Sequence, residues 1–171
     1  MNEMTEINKL SWRLASVVMI SLDGKIVPYS TSQIRKIMNV SNAPDSAAQI
    51  RKLIESYNPA PPQRKRPEQS QRELRLKKEK NTEFGKLLLD FIVNQNPQYV
   101  QSLLRYTIWN IKIIENGIRD LGELELILDC EGVKEKELIL STLKTLKNSE
   151  NRTGHGPRRN TYQKQNFRRN Y

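Results

Sequence analysis

Apolar residues recur along this chain at the three-to-four-residue spacing of helices that bury one face. Ile7, Leu10, Leu14, Val17 and Val18 form the first stripe and predict a helix over 5–20 with Thr5 at its cap. Asp23-Gly24-Lys25 then reads as a turn. Ser30-Thr31-Ser32-Gln33 is a capping-box pattern, a hydroxyl followed three residues later by a side chain able to reach back. The helix it opens runs through Ile34, Ile37 and Met38 and ends near Asn39. Pro44-Asp45 opens another, Ser46 to Ser56, with Ala47, Ile50, Leu53 and Ile54 inward, and Pro59, Pro61 and Pro62 end it. The echo between Ser32-Gln33-Ile34-Arg35-Lys36-Ile37 and Ala48-Gln49-Ile50-Arg51-Lys52-Leu53 occurs once and reflects two amphipathic helices of like composition, not a repeat array.

Beyond residue 80 the stripes are stronger. Phe84, Leu87, Leu88, Phe91 and Ile92 share one face after Thr82. Asn96-Pro97 is a helix start, and Val100, Leu103, Leu104, Ile108, Ile111 and Ile114 follow it until Gly117. Leu121–Leu128 alternates Glu with Leu as a strand would, yet Leu121, Leu124 and Leu128 also suit a helix. With no partner strand in view, helix is the assignment. A last helix covers about 133–146 through Leu138, Ile139, Leu143 and Leu146. The fold class expected is all-α: a bundle of about six helices contributed by 1–58 and 81–147. A Pro-, Gln-, Arg- and Lys-rich linker, 59–80, interrupts it, and its second half from Arg72 suits a solvated helix running into the next element. A basic aromatic tail, 148–171, expected to be disordered, follows.

Charge changes the picture. The chain carries a net +10, but residues 1–63 hold 7 basic and 5 acidic side chains, and residues 81–150 hold 8 and 11. The excess sits in 64–80, with 8 basic against 3 acidic, and in 151–171, with 6 basic and no acidic residue. That layout points to a polyanionic partner, and RNA suits it best. In the tail, Arg158, Arg159, Arg168 and Arg169 alternate with Tyr162, Phe167 and Tyr171, so phosphate contacts and base stacking are on offer together. Arg64, Lys65 and Arg66 open the basic linker, while Arg35, Lys36, Arg51, Lys52 and Arg105 sit on predicted helices as candidates to track a phosphate backbone.

Nothing in the inventory points to catalysis. His155 is the single histidine and lies in the tail; Cys130 is the single cysteine and reads as a small filler at a helix edge. One Cys and one His do not make a tetrahedral zinc site. The acidic run Asp120, Glu123, Glu125, Asp129 and Glu131 lacks the spacing of a calcium loop. No glycine-rich phosphate loop occurs. The expectation is a protein that is not an enzyme and uses no cofactor or metal. It should be cytoplasmic, without a disulfide, secretory signal or membrane span.

The stretch Asp23-Gly24-Lys25, then Tyr29-Ser30-Thr31-Ser32-Gln33-Ile34-Arg35-Lys36-Ile37-Met38, resembles the N-terminal motif of the small subunit of type III-A CRISPR effector complexes. That motif runs Gly-Lys, then Thr-Thr-Ser-Gln, an aliphatic residue, Arg-Lys and an apolar residue. The likeness covers about a tenth of the chain. It implies an all-helical, non-catalytic subunit that contacts guide and target RNA without sequence preference, beside other effector subunits and copies of itself along a filament. Arg35 and Lys36 would be the motif's basic pair, and Ser30 to Gln33 its helix cap. Departures are Ser30 in place of the first Thr, the longer approach Ile26-Val27-Pro28-Tyr29, the basic linker and the tail. The Tyr/Ala-rich helix of the family's second half has only Arg105-Tyr106-Thr107 as its nearest counterpart.

Two other readings remain open. Helices 31–39 and 46–56 could act as a DNA-binding helix-turn-helix, although their connection exceeds the usual three or four residues. The acidic 120–137 face and the apolar stripes could instead serve a protein scaffold within another ribonucleoprotein.

Overall fold

A computed structural model of the chain describes residues 3–22, 25–62, 66–117, 120–133 and 135–153. Along it follow α1 (Glu3–Val17), β1 (Met19–Leu22), β2 (Lys25–Pro28), α2 (Thr31–Val40), α3 (Ser46–Glu55), α4 (Pro67–Ile92), α5 (Pro97–Gly117), α6 (Leu121–Cys130) and α7 (Lys136–Thr153). The chain is thus a helical bundle, as its apolar spacing predicts, with one small hairpin added. Among the described residues no helix is long and apolar enough to cross a membrane.

Helix α1 lies at the centre, running along α5 and touching α4 and α7. Its Ile7, Trp12, Leu14 and Ala15 are buried. A polar seam stitches the α1–α5 contact: the Asn110 amide donates to Ser11 Oγ at 2.9 Å, and that hydroxyl donates to the Asn8 carbonyl at 2.7 Å. Thr5, expected at the cap, lies inside α1 and is exposed.

The first helix stops at Val17, three residues earlier than its apolar stripe suggests, because the chain turns into an antiparallel hairpin. Met19 pairs with Pro28, Ile20 with Val27, Ser21 with Ile26 and Leu22 with Lys25. The Tyr29 N–H then donates to the Val18 carbonyl at 2.8 Å, lengthening the ladder by one rung. Val18, Ile20, Ile26 and Val27 are β-branched, which favours extended backbone. Successive strand residues face opposite sides, yet Met19 and Ile20 are both fully buried. The hairpin is therefore packed on two faces, with α4 and α7 against β1 and α5 against β2. That burial is what a two-stranded sheet needs, being marginal on its own.

Helix α4 departs most from the expected layout. It is 26 residues long and begins at Pro67, so 67–80 of the segment read as a linker is helix. Pro67 suits the first helical position, where its missing N–H costs nothing. Ion pairs Lys77–Glu73 (2.6 Å), Arg75–Glu79 (2.8 Å) and Lys80–Glu83 (2.7 Å) join residues one turn apart along it. Glu73 and Asn81 are buried and Leu76 packs against the core, so this stretch is more than a solvated spacer. Downstream, Phe84, Leu88 and Ile92 join Ile34, Ile37 and Ile50 from α2 and α3 in the same cluster as Val100, Leu103, Leu104, Ile111 and Ile114 from α5. One core serves the parts before and after residue 59.

Asn96 caps α5 as expected, its Oδ1 accepting from the Tyr99 N–H at 2.8 Å. Residues 121–130 are the helix chosen over a strand, started by Asp120 Oδ1 accepting the Gly122 N–H at 2.9 Å. Helix α6 ends on Gly132 at φ +65°, where the Gly132 N–H donates to the Asp129 carbonyl and the Val133 N–H to the Leu128 carbonyl. This paired closure satisfies two end carbonyls and needs a left-handed residue, hence glycine. Helix α7 starts at 136 and continues to 153, past the expected boundary of the tail. Ala47, Leu138 and Cys130, read as inward or filling, are exposed; on α7 it is Leu140 that is buried, with Leu143 as expected.

Candidate nucleic-acid interface

The Ser30 hydroxyl accepts the Gln33 N–H at 3.2 Å, which caps α2 as the motif predicts. The second half of the capping box is spent elsewhere. Gln33 Nε2 donates to the Leu53 carbonyl at 2.8 Å, tying α2 to the end of α3. The next carbonyl, Ile54, accepts from Asn81 Nδ2 of α4 at 2.8 Å. Asn81 Oδ1 in turn accepts the Tyr29 hydroxyl at 3.0 Å. Helix ends leave carbonyls unpaired, and here two consecutive ones are met by amides from two neighbouring helices.

Tyr29 is buried at the junction, edge-on to Tyr57 with centroids 5.6 Å apart and tilted against Phe84 at 6.2 Å. Desolvation raises its phenol well above the ordinary value, with the Tyr57 charge adding to the effect. Packing is tightest where α3 meets α4: a Cβ on Gly85 would come within 2.5 Å of Ile54 Cγ2. The hub thus holds α2, α3 and α4 in a fixed relation.

On its outer side that relation opens a cleft of about 420 Å³, lined among others by Ser32, Lys36, Ser56, Tyr57, Asn58 and Lys77. A neighbouring cleft shares Leu53 and Ser56 with it and carries Lys52 on its wall. Lys36 and Lys52 therefore flank adjoining depressions at the end of α3. Arg35 and Arg51, their helix neighbours, are exposed as well. None of these four makes an ion pair among the described residues. Lys77 differs, being 2.6 Å from Glu73, so it adds less net charge to the cleft.

The other sequence candidates scatter. Arg66 is exposed at the N-cap position of α4. Arg105 is exposed on α5 and lines neither cleft. Arg64, Lys65, Arg158, Arg159, Arg168 and Arg169, with His155, lie outside the described residues. Arg75, Lys77 and Lys80, three of the eight basic side chains of 64–80, are engaged along α4. The acidic run ending at Glu131 does not converge: among the described residues no three metal-ligating side chains gather.

Trp109 escapes the sequence reading because it sits between the stripe positions Ile108, half-buried, and Ile111, buried. It is 65% exposed, the largest exposure among the big apolar side chains of α5. Its signal was its helical phase, one turn from Arg105 and one turn from Lys112, both polar. No protein-family model, curated protein or solved structure matches this chain.

Proposed function

We propose that this protein is a non-catalytic RNA-binding subunit of a cytoplasmic ribonucleoprotein, of the kind that type III CRISPR effectors use as their small subunit. The observation that carries this reading is the α2–α3 surface. Arg35, Lys36, Arg51 and Lys52 stand exposed, without carboxylate partners among the described residues, on two helices locked together by Gln33. Unpaired cations on a rigid surface suit a regularly spaced phosphate backbone, and such contacts carry no sequence preference. The Ser30-capped start of α2 adds positive potential beside Lys36. Guide and target RNA, with other subunits of the assembly, are the partners this reading implies. A helix-turn-helix regulator is less well supported: the outward start of α3 is Ala47-Ala48, which offers no side chain to read a base edge.

The test is RNA binding by the full chain followed by fluorescence anisotropy across salt concentrations. Replacing Arg35, Lys36, Arg51 and Lys52 with Ala should weaken binding at low salt. It should also flatten the dependence of log affinity on log salt by roughly 3, at about 0.7 per phosphate contact on a single strand. An unchanged slope would remove this surface from the interface, and a strong preference for one duplex DNA sequence would favour the regulator.

A further inference from the structure

We propose that α5 and the end of α6 form a pocket for one unpaired RNA base, separate from the backbone-tracking surface and resting on the RNA-binding reading above. The pocket is a cleft of about 340 Å³ lined by Thr5, Asn8, Tyr106, Trp109, Asn110 and Glu131. Trp109 is 65% and Tyr106 38% exposed, so aromatic surface is presented to solvent where a bundle would ordinarily bury it. Arg105 and Lys112 are exposed one turn to either side of Trp109. That order, cation, indole, cation, matches a nucleotide chain whose base stacks while its flanking phosphates meet positive charge. An apolar peptide would gain little from the same cations.

The remaining walls are suited to a base edge. Glu131 is held in place by the Trp12 indole N–H, which donates to its Oε2 at 2.7 Å, and by Asn8 Nδ2 at 3.4 Å to the same oxygen. Glu131 Oε1 carries neither of these bonds, and the residue is exposed on the cleft wall. The paired closure of α6 at Gly132 sets the backbone at this point. A carboxylate oxygen accepts from an exocyclic amino group and repels a carbonyl, and uracil's one imino N–H stands between two carbonyl oxygens. The pocket therefore favours a base with an amino donor, such as cytosine, over uracil, which has a carbonyl oxygen at the same ring position. Asn8 and Asn110 add amides beside it.

The experiment uses the full chain with 20-nucleotide oligo(C) and oligo(U) RNAs, read by anisotropy and by tryptophan emission. The chain has two tryptophans, and Trp12 is fully buried, so quenching by added RNA reports on Trp109. Oligo(C) should quench the emission and bind several-fold more tightly than oligo(U). Trp109→Ala should lower affinity for oligo(C) about ten-fold and abolish the quench. Its melting curve should stay that of the parent chain, the side chain being exposed. Glu131→Gln should erase most of the preference for oligo(C), with binding to oligo(U) retained. Equal affinity for the two RNAs, or a Trp109→Ala variant that binds and quenches like the parent, would overturn the pocket. If that happened while binding still fell with salt, the backbone-binding reading would stand alone. Absence of binding to any RNA would overturn both.

Discussion

Removing the Asn81 side chain tests whether the α2–α3–α4 hub holds the fold. Asn81 is 3% exposed and makes two hydrogen bonds, to the Ile54 carbonyl and from the Tyr29 hydroxyl. Asn81→Ala leaves the two groups in different positions. The Ile54 carbonyl keeps the Tyr57 N–H at 3.3 Å, so its loss is one bond, about 1 kcal/mol. The Tyr29 hydroxyl is buried and loses its acceptor, which costs about 1–3 kcal/mol for a stranded donor. Alanine repays roughly 0.6 kcal/mol by its better helix propensity inside α4. The net is a destabilisation of about 1.5–3.5 kcal/mol. Urea unfolding followed by far-UV circular dichroism measures it, and the melting temperature should fall by roughly 3–14 °C for a chain of this size. Tyr29→Phe removes the stranded hydroxyl, so the Tyr29→Phe/Asn81→Ala double variant should cost less than the sum of the singles by about 1 kcal/mol or more. An Asn81→Ala variant within about 0.5 kcal/mol of the parent, or strict additivity in the cycle, would refute the hub.

Other expectations follow from single features. The folded chain holds the Tyr29 proton more tightly than the unfolded chain. That contribution is fully present below about pH 10, the ordinary phenol value, and is lost as pH rises above it. Between pH 9 and 11 the urea midpoint of the parent should therefore fall more steeply than that of Tyr29→Phe; parallel curves would contradict the burial. Gly132→Ala should destabilise by about 1–2 kcal/mol through its left-handed backbone alone, since nothing lies within 4 Å of the added Cβ. Gly132→Asn should recover part of that loss, and equal melting temperatures for Gly132→Ala and the parent would exclude the closure. The salt slope of the Arg35/Lys36/Arg51/Lys52→Ala variant and the quench by oligo(C) at Trp109 complete the set, each read as given above.

The helices were legible because their apolar residues keep a 3.6-residue period: the α4 and α5 stripes appear in the core almost residue for residue. Two caps were legible too, since Ser30 and Asn96 act over three residues; the Asp120 cap of α6 was read only as part of an acidic run. The hairpin was half legible. The Asp23-Gly24-Lys25 turn expected from the sequence lies in part outside the described residues, and Val17, Val18 and Ile20 continue the helical period of α1, so the two periodicities compete over the same residues. Only the packing of α4 and α7 against β1 and of α5 against β2 decides in favour of strands. The basic segment 59–80 was legible in part: a helix from Arg72 was expected, and its start at Pro67 and its hold on the core were not. Its composition is that of a solvated chain, and its helicity comes from one-turn ion pairs and from Asn81 and Leu76 reaching the core.

The sequence by itself determined the helical class and the concentration of positive charge, because these depend on composition and local spacing. Tertiary structure alone decided which cations stand together and which are neutralised. It joined Gln33 to Leu53 and Asn81 to Ile54, 20 and 27 residues apart. It also turned Trp109 outward beside Glu131, where the chain alone shows only an aromatic in an apolar run. Long-range pairing of this kind arises from the shape of the shared core, which no local pattern encodes.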